Sequence, residues 1–146
     1  MSKFVAGLTT TAGSTTLPLA ALVGGTGGRL RIAEIGVFNT TATAVNLVLC
    51  RVTTAGTPGT AATSRLTDSA DAATAVGTLR NTYTSTAPTT TELGIGFPLG
   101  AAIGSGIVLT FPDDTLTIPA TANAGIGFLL ESGAIQVVRL WVRWYE

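Results

Sequence analysis

Histidine is absent from this sequence, and cysteine occurs once. The first absence removes His-based triads, an imidazole general base and His-ligated metal sites. The second removes internal disulfides and cysteine clusters for zinc. Charge is scarce too, at 11% of residues, against roughly 25% in an ordinary soluble domain. Eight basic residues balance eight acidic ones, and a neutral chain does not suit nucleic acid as its main partner. No apolar run approaches the roughly 18 residues of a spanning helix; residues 17–25 are interrupted by Pro18. Two Trp, two Tyr and five Phe are few for the aromatic girdles of a membrane barrel, so no membrane is expected. Residues 1–8 carry one basic residue and a short apolar run that Thr9, Thr10 and Thr11 interrupt. A secretory signal is not expected there, and synthesis in a cytoplasm is.

What is present is β-structure. The 146 residues fit one domain with a core of its own. Short β-branched runs alternate with clusters of Gly, Pro, Asn, Asp and Thr. Residues 29–38 begin with Arg29 and Arg31 against Leu30 and Ile32, then place Ile35 and Val37 on odd positions. That phase slip beside Ala33 and Glu34 predicts a β-bulge or bend. Residues 44–54 form a strong strand, apolar on both faces, with Cys50 as a small buried residue. Residues 3–8 read as a short strand that pairs at an edge, and residues 76–85 as a polar strand at an edge or on an outer face. Residues 68–79 read as either a short helix capped by Asp68 or a loop. Residues 124–131 and 134–145 predict a hairpin joined at Glu131, Ser132 and Gly133. The expectation is all-β: an antiparallel β-sandwich, jelly-roll-like, of eight to ten short strands. It comprises a single domain over residues 1–146 with a short N-terminal arm at about residues 1–16.

Catalytic motifs fail on context. The run Gly24-Gly25-Thr26-Gly27-Gly28 lacks the Walker lysine and precedes a strand, so a hairpin loop is expected. Asp113 and Asp114 are the one tight carboxylate pair, and a solvent-facing turn after Pro112 accounts for them. Calcium needs six to eight oxygens, and the other acidic residues are scattered. Hydroxyl nucleophiles lack a base. The expectation is a protein that is not an enzyme and holds no metal or cofactor.

The C-terminal strand is the most informative segment. Val138, Leu140, Val142 and Trp144 point to one side, and Arg139, Trp141, Arg143 and Tyr145 to the other. Arg, Trp and Tyr are enriched at binding hot spots, so the second row is a candidate protein interface. A mixed outer face with Arg stems shielding Trp141, or a platform for single-stranded nucleic acid, are the alternatives. A domain this poor in charge exposes neutral or apolar surface that subunit contacts would bury, which predicts a homo-oligomer. Phe4, Val5 and Leu8 of the N-terminal arm are expected to add contacts.

The stretch from Arg31 through Ala33-Glu34-Ile35-Gly36-Val37-Phe38 to Val45, continuing from Arg51 to Gly59, resembles small β-sandwich proteins of tailed-bacteriophage virions. The class named by this resemblance is the capsid decoration, or cement, proteins. It implies an oligomer, a trimer favoured, that sits on the capsid exterior and clamps neighbouring major capsid protein subunits. A tail, neck or head-fibre module, or a small shell-forming capsid subunit, is the alternative within the same setting.

Overall fold

The computed structural model describes residues 1–11, 13–112, 115–132 and 136–146, and none of these is helical. The strands are β1 (Lys3–Thr9), β2 (Ala20–Val23), β3 (Leu30–Asn39), β4 (Val45–Val52), β5 (Arg65–Leu66) and β6 (Thr78–Asn81). They continue with β7 (Thr90–Leu99), β8 (Gly106–Thr110), β9 (Thr117–Ile118), β10 (Gly125–Ser132) and β11 (Val138–Tyr145). Two antiparallel sheets pack face to face as a β-sandwich. Sheet A has the order β5-β1-β11-β3-β8, with β9 also on β3; sheet B has the order β6-β2-β10-β4-β7.

Alternation explains the layers. On β11 the even residues Val138, Leu140, Val142 and Trp144 are buried, and the odd ones face out. On β10 every residue from Gly125 to Leu130 is buried, as suits the central strand of a sheet covered on both faces. Between the sheets, Trp144 is fully buried and stacks on Phe4, with ring centroids 5.8 Å apart and planes 24° from parallel. The Trp144 indole N–H donates to the Glu146 carboxylate at 2.8 Å. The same carboxylate accepts from the backbone N–H groups of Val76 and Gly77, each at 2.8 Å.

The phase slip in β3 is a bulge. Arg143 pairs with Glu34 while Trp144 pairs with Ile32, so Ala33 is the extra residue and the inward side changes from even to odd positions. β4 is apolar on both faces, as its sequence indicates. Its second face, with Val48, Cys50 and Val52, joins Ala21 and Leu129 in a separate cluster roofed by Tyr83. The roof is tied down by backbone bonds from Tyr83 to Pro18, from Thr57 to Thr86 and from Thr84 to Thr57. β6 is an edge strand, as expected of residues 76–85. Residues 68–79 contain no helix. The Asp68 and Asp71 carboxylates accept from the N–H groups of Ala70 and Ala73, which closes local turns instead.

Three expectations are corrected. Residues 3–8 form a strand, as read, but not one within an arm: β1 is paired along its length with β11. The segment after β2 that holds Gly24–Gly28 is not a hairpin loop, because β2 lies in sheet B and β3 in sheet A. Nor do β10 and β11 form a hairpin: β10 pairs with β2 and β4, β11 with β1 and β3, and their link crosses between sheets. Glu131 and Ser132 belong to β10 itself, and Gly133 lies outside the described residues, as do Asp113 and Asp114.

Candidate interaction face

The two outer faces of the sandwich are treated differently. That of sheet B lies under its own loops, with Tyr83 only 2% exposed. The outer face of sheet A carries the odd-numbered residues of β1 and β11 and, beyond the bulge of β3, the even-numbered Glu34, Gly36 and Phe38. Strand register sets them in rows. One row runs Arg65, Val5, Arg143, Glu34, Thr110, and the next Gly7, Trp141, Gly36, Val108. A third runs Thr9, Arg139, Phe38, Gly106, and Lys3, Tyr145 and Arg31 make a fourth at one end.

Aromatic rings lie flat in this face because glycines sit beside them. A Cβ at Gly36 would stand 2.3 Å from the Trp141 indole, and one at Gly106 would stand 2.3 Å from the Phe38 ring. Each ring therefore covers backbone that no side chain protects, a recognised means of stabilising glycine in a sheet. Arg143 bridges to the Glu34 carboxylate at 3.3 Å, and the Lys3 ammonium lies 5.7 Å from the centre of the Tyr145 ring. An open cleft of about 530 Å³ sits beside the bulge, lined by Arg31, Glu34, Phe111, Arg143 and Tyr145 among others.

Charge is segregated although the chain is neutral. Lys3, Arg31, Arg65, Arg139 and Arg143, five of the eight basic residues, occupy these rows. Among the described residues, Glu34 is the one carboxylate within them. Of the residues singled out in sequence, Arg139 and Arg143 are exposed on this face, and Val5, Trp141 and Tyr145 are half-buried in it. Phe4 and Leu8 are not part of it. Phe4 is 2% exposed in the core and Leu8 packs against that core, because both occupy the inward phase of β1. Phe38, Gly36, Val108, Lys3, Arg31 and Arg65 complete the face and were not anticipated. Once the bulge is placed at Ala33, the alternation Glu34, Gly36, Phe38 points to the outside.

Among the described residues, no three His, Cys, Asp or Glu side chains gather to hold a metal ion. Cys50 is fully buried, and that burial pushes its thiol up to about 11, so it stays protonated. Comparison with known proteins returns no matching family model, no matching curated protein and no matching solved structure.

Proposed function

We propose that this protein is a non-enzymatic structural component of a virion, a capsid decoration protein that binds the major capsid shell as an oligomer. The carrying observation is the outer face of sheet A, which bears five basic side chains around Trp141, Phe38 and Val108. Arg and aromatic side chains arranged in this way favour a protein partner with an acidic surface. Glu34 beside Arg143, and Val5 and Val108 within its rows, suit such a surface better than a phosphate backbone.

The strand order supports the wider reading. Leaving aside the short β5, β6 and β9, one sheet reads β1-β11-β3-β8 and the other β2-β10-β4-β7. Except from β4 to β7, successive strands of this set change sheet, which favours the wrapping of a jelly roll, an architecture frequent in viral shells. That order also favours a second reading, a small subunit that itself builds a shell.

The test is binding to shells stripped of this protein. Arg65→Glu with Arg139→Glu leaves the core untouched and is expected to weaken binding at least tenfold. Wild-type binding is expected to fall as salt rises. Unchanged occupancy by the double variant, or wild-type binding indifferent to salt, would overturn the assignment of this face. Closed particles formed by the purified protein alone would establish the second reading.

A further inference from the structure

The sandwich has four sheet edges, and three are protected. β5 is only two residues long. β6 is covered by residues 59–62, through the bonds Gly59 N–H to Asn81 O, Asn81 N–H to Thr60 O and Ala62 N–H to Leu79 O. β7 carries Glu92, an exposed Pro98 without an N–H, and Gly94 at φ +70° inside a register shift. Charges, prolines and bulges are the usual means by which proteins block edge pairing. β8 has none of them: its sequence is Gly-Ile-Val-Leu-Thr, and among the described residues it pairs on one side only.

The ladder phase fixes what this edge presents. The Asn39 N–H donates to Ser105 O at 2.7 Å and the Phe111 N–H donates to Ala33 O at 2.9 Å. Backbone groups alternate between the two sides of a strand, so Ile107 and Leu109 face β3. Gly106, Val108 and Thr110 therefore turn their N–H and C=O groups away from it. Two large hydrophobic side chains are also exposed here: Val108 at 45%, and Ile103, just before the strand, at 75%.

We propose that β8 pairs antiparallel with β8 of a second copy of this chain, about a two-fold axis through Val108. Gly106 then faces Thr110 of the other copy and Val108 faces its equivalent, with roughly six backbone hydrogen bonds in all. The strand suits this occupant because it bears no charge to repel itself across the axis and none by which a charged foreign strand would be recognised. The row Gly7, Trp141, Gly36, Val108 continues into its symmetry mate, so the outer faces of the two copies become one surface. The contact joins copies in pairs, so a three-fold assembly would need a further surface. It does not rest on what the face binds.

Val108→Lys places two ammonium groups against each other at the axis, and its outward position leaves the β3 ladder intact. Light scattering on the purified protein is expected to give a dimer for wild type and a two-fold lower mass for Val108→Lys, with unchanged circular dichroism. A second measurement covers misfolding of that variant. In a Cys50→Ala background, Val108→Cys is expected to cross-link into dimers under mild oxidation, and Thr91→Cys on β7 is not. A monomeric wild type, a Val108→Lys protein that is folded at wild-type mass, or cross-linking equal at both edges would each overturn the proposal.

Discussion

Gly36→Ala tests whether the Trp141 indole is held in place by the bare backbone beneath it. The new methyl would sit 2.3 Å from Cε2 and Nε1 of the ring, where ordinary contact begins at 3.4 Å. The ring must therefore retreat by at least an ångström, and the methyl cannot, being fixed to the strand. Losing the contact uncovers on the order of 60–80 Å² of apolar surface, or about 1.5–2 kcal/mol at ~25 cal/mol per Å². Replacing glycine by alanine in a strand returns about 0.5–1 kcal/mol of chain entropy. The net expectation is a loss of ~1 kcal/mol, a fall in Tm of roughly 2–4 °C. Trp141 emission should shift to the red while that of the buried Trp144 does not. In a Trp141→Ala background the sign reverses: with no ring to displace, Gly36→Ala should stabilise by ~0.5–1 kcal/mol. Thermal or denaturant unfolding of the four proteins in this cycle gives the coupling. A coupling below ~0.5 kcal/mol, or a Gly36→Ala protein more stable than wild type, would refute the reasoning.

Two further predictions concern buried chemistry. Burial raises the Cys50 thiol from 9.0 to about 11, so between those values the unfolded chain loses its proton first and stability falls as pH rises. The loss is on the order of 2–3 kcal/mol, to which Tyr83, also raised by burial, adds in the same direction at higher pH. Denaturant unfolding from pH 8 to about 11 should therefore show a shallower decline for Cys50→Ala than for wild type, and equal slopes would count against it. Glu146→Ala removes the carboxylate that accepts from Val76, Gly77 and Trp144, at a cost of about 1.5–3 kcal/mol for charge-assisted bonds. Hydrogen exchange should accelerate at the Val76 and Gly77 amides; unchanged protection there would contradict the role given to the Glu146 carboxylate.

The strands themselves were legible because period-two alternation is a local property. The bulge at Ala33 could be read for the same reason, since a single extra residue reverses which parity is apolar. The link between β10 and β11 was misread because Glu131-Ser132-Gly133 is turn chemistry whether the chain folds back within one sheet or arches to the other. Only the partners of each strand distinguish the two, and they lie far away in sequence. Phe4 was misplaced because residues 3–8, though read as a short strand, were also counted in an N-terminal arm. Its alternation with Ala6 and Leu8 against Lys3, Val5 and Gly7 is that of a strand with a buried side. The candidate face was half visible, as one row on β11. The rest depended on cross-strand register, which gathers five cations from β1, β3, β5 and β11 while the total charge remains zero.

The strand order also bears on how the chain is made. β11 is the middle of sheet A and β10 the middle of sheet B, yet they are the last two strands in chain order. Until both have left the ribosome, β1 has no β11 to lie beside, β2 and β4 have no β10, and neither sheet closes. Before then the strands can pair only in small groups, β1 with β5, β2 with β6, β4 with β7, and β3 with β8 and β9, and the long-range pairings that join these groups make folding slow. A chaperone that shields the open edges of these groups would act on that interval. The outer face of sheet A, whose rows all run through β11, therefore takes shape only once β11 has been made.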